Sequence, residues 1–148
     1  MFHCRYRLSQ LPAVAADGSG RTSTLTVFIH GISYPMDSFN RLYDEVTLGG
    51  VTPRAALMYD ISGRGYSHSQ TKHPMTIQLF VTQLEELLEA LNIPPSTKLQ
   101  IVAWSMGTIV GTKYAYDHPG TLTSVGDVQS CCCCCCLRMY ALPHLLTD

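Results

Sequence analysis

The stretch LQIVAWSMGTIVG, residues 99–111, decides the fold. Its first part, Ile101 to Trp104, is apolar and β-compatible and runs straight into Ser105. A helical pattern follows, with apolar or aromatic side chains at Met106, Ile109, Val110 and Tyr114. The reading is strand, very tight turn, helix, with a serine at the apex. Ala103 and Gly107 flank that serine at two-residue offsets. Such a turn forces the serine backbone into a strained conformation, and only small neighbours leave room for it. Ala-x-Ser-x-Gly is a relaxed form of the Gly-x-Ser-x-Gly nucleophile elbow. The turn exposes the Ser105 hydroxyl and points the Met106 N–H at the place where an oxyanion would form, above a helix N-terminus that favours negative charge. The alternative for Ser105 is an ordinary helix N-cap after a buried strand.

Outward from this stretch, strands and helices alternate. Residues 24–29 (TLTVFI) have the continuous β-rich character of a central parallel strand and end at His30-Gly31-Ile32. Pro35 and Asp37 open a helix with Phe39, Leu42, Tyr43 and Val46 on one face, stopped by Gly49 and Gly50. Residues 54–60 are a second buried strand, followed by the glycine-rich loop 60–67. Pro74 opens a helix with an apolar stripe at Ile77, Phe80, Val81, Leu84, Leu87, Leu88 and Leu91, ended by Asn92 and Pro94. Residues 98–104 are the third buried strand, 106–117 the third helix, and 122–125 the start of a fourth strand, weakened by Gly126-Asp127. Residues 2–8 alternate Phe2, Cys4, Tyr6 and Leu8 against His3, Arg5 and Arg7, the pattern of a half-exposed strand. This order predicts an α/β fold: a mostly parallel sheet with helices on both faces. Working residues in such sheets lie just past the C-terminal strand ends, where His30-Gly31, Asp60 and Ser105 all fall.

Three motifs now stand in order: Phe28-Ile-His-Gly-Ile32, Asp60-x-x-Gly63-x-Gly65-x-Ser67 and Ala103-Trp-Ser-Met-Gly107. Together, over about residues 24 to 126, the chain resembles the α/β-hydrolase fold family. The resemblance implies Ser105 as catalytic nucleophile, with the backbone N–H groups of Ile32 and Met106 as the oxyanion hole. His30, Gly31, Asp60 and Gly107 support those motifs. His30 precedes the serine, whereas the fold's order is serine, acid, histidine, so His30 shapes the oxyanion loop rather than acting as base. Asp60 fastens its loop by accepting backbone N–H bonds. A serine at position 105 implies an acyl-enzyme, hence esters, thioesters or amides, and the resemblance to serine esterases and lipases selects a small-molecule ester or thioester substrate. No cofactor is implied.

The family domain is longer than 148 residues. Asp127 and His144 follow Ser105 in the required order, but a triad built on them needs the tail to hold an imidazole at the serine. The simpler expectation is the N-terminal part of a hydrolase: a first strand and turn at 1–23, the hydrolase part at 24–128, and a low-complexity Cys131–Cys136 run with an unassigned tail at 129–148. An incomplete sheet would leave part of one face and an edge strand to water. The alternative function is a catalytically inactive hydrolase-like module lacking the acid and histidine.

Composition narrows the remaining classes. An apolar fraction of 46% and a charged fraction of 14% describe a globular chain. Net charge is −1 with no basic block, which argues against nucleic acid. No run approaches the roughly 20 apolar residues of a membrane span. Gln10 and Pro12 interrupt any signal-peptide core, so the expectation is cytoplasmic. Six of the seven cysteines are consecutive, a geometry that serves neither a disulfide framework nor a tetrahedral metal site. Gly18-Ser-Gly-Arg-Thr22 lacks the lysine of a phosphate loop and reads as a turn.

Overall fold

The computed structural model describes residues 3–10, 23–49, 54–68 and 74–127, with the side chains of 124–127 excepted. The turn at 18–22, the cysteine run, His144 and the rest of the tail lie outside them. Among the described residues five strands, β1 (Tyr6–Leu8), β2 (Thr24–Ile29), β3 (Ala55–Tyr59), β4 (Lys98–Ala103) and β5 (Leu122–Asp127), form one sheet in the order β1-β3-β2-β4-β5. β2, β3, β4 and β5 pair in parallel, and only β1 runs antiparallel, on β3. The fold is therefore the expected α/β arrangement, with helices on both faces of a mostly parallel sheet.

One face carries α2 (Ile77–Ala90) and α3 (Met106–Asp117), packed on Leu25, Val27, Ile29, Leu57, Tyr59 and Ile101. The Thr76 hydroxyl caps α2 by accepting from the Leu79 N–H at 3.1 Å. Asn92, in the left-handed region at φ 53°, ends it, and the Ile93 N–H returns to the Leu88 carbonyl. The other face carries a 3-10 turn (Met36–Phe39) and α1 (Asn40–Leu48), packed on Phe28, Ala56 and Met58.

The two faces differ in coverage. β3 is buried at every residue, and β2 at all but Thr24. β4 alternates instead: Leu99, Ile101 and Ala103 are buried under α3, whereas Lys98, Gln100 and Val102 are half-exposed. Among the described residues, α1 reaches only the β2–β3 half of its face. Partial exposure of a central parallel strand is what an incomplete sheet predicts.

Several expectations need correction. Residues 36–48 are not one α-helix, and Leu42 is 40% exposed rather than facing the sheet. The 3-10 turn rotates the frame, so Phe39 and Tyr43 are buried and Leu42 points away. Ile109 is likewise 57% exposed on α3, where Gly107, Val110, Gly111 and Tyr114 form the buried face. Tyr6 is exposed because β1 is a three-residue edge strand, although Cys4 and Leu8 do pack inward. β5 continues through Gly126 and Asp127, which pair with Val102 and Ala103.

Candidate active site

β2 and β4 run side by side and end together, with Ile29 opposite Ala103. Their alignment brings the loop 30–34 beside Ser105. The Trp104 N–H donates to the Ile29 carbonyl at 3.0 Å, extending the pairing one residue beyond the strand. The chain then turns at Ser105, with φ 55° and ψ −123°, directly into α3. A non-glycine residue there is strained by about 1–3 kcal/mol. Ser105 is exposed, and although it occupies the N-cap position its side chain makes no capping hydrogen bond. That removes the ordinary N-cap reading of this serine.

The glycine two residues on has a steric cause visible in the structure. A Cβ at Gly107 would lie 2.2 Å from the Ile29 carbonyl oxygen and 2.7 Å from that of His30. The first turn of α3 thus rests on the backbone of β2. Gly31 lies on the other side of Ser105, where a Cβ would stand 3.0 Å from Ser105 Cβ and 3.5 Å from its Oγ. Met106 is the first residue of α3, so its N–H belongs to the set with no intrahelical partner. Ile32 is 51% exposed beside Gly31. Tyr34, also exposed, stacks on Trp104 with ring centroids 5.0 Å apart.

His30 and Asp60 are completely buried behind these loops. The His30 Nε2 accepts from the Ile61 N–H at 2.9 Å, and its Nδ1 meets the Gly31 carbonyl at 2.6 Å. Burial holds the imidazole pKa below its ordinary value, opposed by the Gly31 bond and by Asp60. The Asp60 Oδ1 accepts from the Met36 N–H at 2.7 Å and Oδ2 from the Tyr66 N–H at 2.9 Å. Asp60 thereby ties the loop after β2 to the loop after β3. Gly65, at φ 54°, is where the second loop folds over that carboxylate: a Cβ there would fall 2.3 Å from it.

Sequence reasoning missed two further members of this network, Gln83 and Arg5, and placed Ser67 in a motif without its bond. Gln83 is buried on α2, donating to the Asp60 carbonyl at 3.0 Å and accepting from the Ser62 N–H at 2.8 Å. Its signal was available: a polar residue three after Phe80 and four before Leu87, inside the apolar stripe. Arg5 holds Asp37 through two bonds, at 2.6 and 3.0 Å, and lies 3.6 Å from Asp60. That pairing pushes the Asp37 carboxyl below its ordinary range. The Ser67 hydroxyl donates to the Asp60 carbonyl at 2.7 Å.

Asp127 ends β5 beside Ala103, one strand over from the Ser105 turn. The other candidate partner, His144, lies outside the described residues. Of the remaining histidines, His118 is not a free surface group: its ring bonds Glu85 at 2.7 Å and packs on Tyr114. Among the described residues, no group of three histidine, cysteine or acidic side chains is arranged for a metal ion. Nor is any described helix long and apolar enough to cross a membrane.

A mostly parallel sheet, with a strained serine between strand and helix beside the loop of a neighbouring strand, defines the α/β-hydrolase class. Within it, the family described as serine aminopeptidase, S33, matches residues 20–134, and the chain belongs to that family. The fold is shared with an α/β hydrolase enzyme from a Medee basin deep-sea metagenome library, with 21% identity and a TM-score of 0.66 over 85% of this chain and 40% of that one. A structure from a study of carboxylesterases of the thaumarchaeon Nitrososphaera gargenis is 24% identical, with a TM-score of 0.65 over 84% of this chain and 40% of that one. Mouse alpha/beta hydrolase domain-containing protein 10 is 15% identical, with a TM-score of 0.62 over 86% and 45%. The chain therefore spans less than half the length of these structures. None of the curated proteins matches it.

Proposed function

We infer that this chain carries the nucleophile and oxyanion hole of a serine hydrolase acting on small carboxylic esters or thioesters. The observation that carries the reading is the conformation of Ser105: an exposed residue whose side chain is not spent on capping, at φ 55° between β4 and α3. In the proposed reaction Ser105 Oγ attacks the substrate carbonyl and its proton passes to a base. The N–H groups of Ile32 and Met106 bind the oxyanion of the tetrahedral intermediate. The alcohol or thiol leaves with a proton, and water then releases the acid from the acyl-enzyme. Each oxyanion donor lowers the barrier by roughly 3–4 kcal/mol in comparable sites. A cytoplasmic setting belongs to the same reading, since the cysteines lack the spacing of a disulfide framework.

The family's description and a structural neighbour named as the proline iminopeptidase of Mycobacterium smegmatis favour a second substrate class, aminoacyl amides. A third reading is an inactive hydrolase-like module. It is favoured by the absence, among the described residues, of any hydrogen bond from Ser105 to a histidine or carboxylate. Asp127 and His144 are the proposed acid and base if this chain acts alone.

An alkyl fluorophosphonate probe tests the nucleophile. Covalent labelling of the folded chain that vanishes in Ser105→Ala supports an activated serine. A folded chain that never labels favours the inactive module. Turnover of p-nitrophenyl esters against aminoacyl p-nitroanilides then separates the two substrate classes.

A further inference from the structure

The alternation that sends Leu99, Ile101 and Ala103 under α3 sends Val102 and Trp104 to the opposite face. Trp104, one residue before Ser105, packs there on the cluster built around Phe28, Met36 and Phe39 and stays half-buried. Tyr34, from the loop after β2, lies over it with the ring planes 28° apart. Tyr34 is nevertheless 55% exposed, so the pair offers one free aromatic face to solvent. The segment that carries this ring is fixed at both ends. Gly31 fits closely against Ser105 on one side. On the other, the Met36 N–H is bonded by the Asp60 carboxylate at 2.7 Å, and the Pro35 carbonyl accepts from both the N–H and the hydroxyl of Ser38. Residues 30–34 and 104–106 carry no acidic or basic side chain other than the buried His30. The acidic groups behind the loop are already engaged, Asp37 by Arg5 and Asp60 by backbone N–H groups.

We propose that the free face of Tyr34, backed by Trp104, is a specificity platform that takes a flat, uncharged aromatic arm of the substrate attacked by Ser105. The proposal rests on the reading of Ser105 as nucleophile and names a substrate class for that site. Three features select the arm. A ring laid on Tyr34 in offset stacking gains attraction beyond what its buried area supplies. Trp104 already holds Tyr34 in place, so little side-chain freedom remains to be lost on binding. A charged arm meets no counter-charge from the two segments that frame the serine. Flatness is therefore the discriminating property. A saturated six-membered ring exposes more apolar surface than a phenyl ring and would bind more tightly if burial alone decided.

Trp104 is the single tryptophan of the chain, so NMR of the isotopically labelled 148-residue protein gives one indole N–H resonance, and this and the Tyr34 amide report the platform without turnover. The probes are phenylacetamide and cyclohexylacetamide, neutral amides that differ in the flatness of the ring. Phenylacetamide is expected to shift both resonances and to bind about two- to tenfold more tightly than the cyclohexyl compound. Tyr34→Leu should abolish that preference, and Tyr34→Phe, which keeps the ring, should retain it. Equal or tighter binding of cyclohexylacetamide by wild type, no shift at Tyr34 with either probe, or a preference that survives in Tyr34→Leu overturns the proposal. The wild-type comparison needs no variant and stands even if Tyr34→Leu fails to fold. Fluorophosphonates bearing a phenylalkyl or a cyclohexylalkyl chain then extend the test to Ser105, with the same two- to tenfold preference, about, expected in labelling rate. Ring preference in the NMR titration without any labelling keeps the platform and removes the nucleophile reading. Labelling at equal rates by the two probes keeps the nucleophile and removes the platform.

Discussion

Replacing Gly107 with alanine tests whether the Ser105 turn is held by contact between α3 and the end of β2. Gly107 has ordinary helical φ, so alanine meets no backbone strain there and brings a helix-propensity gain of up to about 1 kcal/mol. What it meets is oxygen: its Cβ would stand 2.2 Å from the Ile29 carbonyl and 2.7 Å from that of His30. Neither is a side chain able to rotate away, so α3 must retreat by about 1 Å to restore ordinary contact. Overpacking of this kind costs about 3 kcal/mol at its usual upper end. The retreat also weakens the Trp104–Ile29 hydrogen bond, worth about 1 kcal/mol. The expected net loss is about 3 kcal/mol in urea unfolding, or about 10 °C in Tm for a chain of this size. Two controls calibrate it. In Gly111→Ala the nearest atom is the Ile101 Cγ2 methyl at 2.9 Å, on a buried β-branched side chain, so overpacking of about 1–2 kcal/mol is partly offset by helix propensity and the net loss should be about 1 kcal/mol. Gly120→Ala meets open space at φ 83° and isolates left-handed strain, about 1 kcal/mol. If G107A matches wild type, or costs no more than G111A, the turn is not held by this contact.

Three further outcomes follow from the same network. Tyr59 buries a hydroxyl with no hydrogen-bond partner among the described residues, so Tyr59→Phe should be neutral or stabilising by up to about 1 kcal/mol in thermal or urea melts. Gln83→Leu strands the Ser62 N–H and should cost about 2 kcal/mol, with faster hydrogen exchange in the 60–67 loop as its signature. His30 titrates lower folded than its ordinary 6.5, so below that value the unfolded chain binds more protons. Its contribution is complete above pH 6.5 and is lost as pH falls beneath it; urea midpoints across pH should show that slope flattened in His30→Asn.

The parts of this structure legible in the sequence are those that repeat along the chain. Continuous burial marked β2 and β3, and a helical stripe marked α2. Local backbone demands marked the rest: Asn92 and Pro94 ended α2, and the small residues around Ser105 announced a tight turn. What escaped was set by partners far away in the chain. Leu42 and Phe39 look equivalent on a helical wheel, and only the 3-10 turn separates them. Gln83 reads as an interruption of a stripe until Asp60 and Ser62, from the loop after β3, arrive to satisfy it. Arg5 reads as the solvent side of an edge strand, yet it bonds a carboxylate 32 residues away. Periodicity carries the backbone frame; it carries no information about which polar group a buried side chain will meet.

That division bears on the proposed site. The Ser105 turn is strained, and strain of about 1–3 kcal/mol persists only where surrounding structure over-determines the backbone. Here the determinants are backbone contacts within residues 29–107: the Trp104–Ile29 bond, Gly107 on the carbonyls of β2, and Gly31 against the serine. Asp60, His30 and Gln83 then pin the loops from behind, each by bonds to backbone groups. A nucleophile and its oxyanion hole need only this frame, because their geometry is main-chain geometry. An acid and a histidine need side chains delivered from other loops. On the proposed reading, the described residues hold the backbone half of a hydrolase site, and labelling of Ser105 turns on whether a base reaches it from outside them.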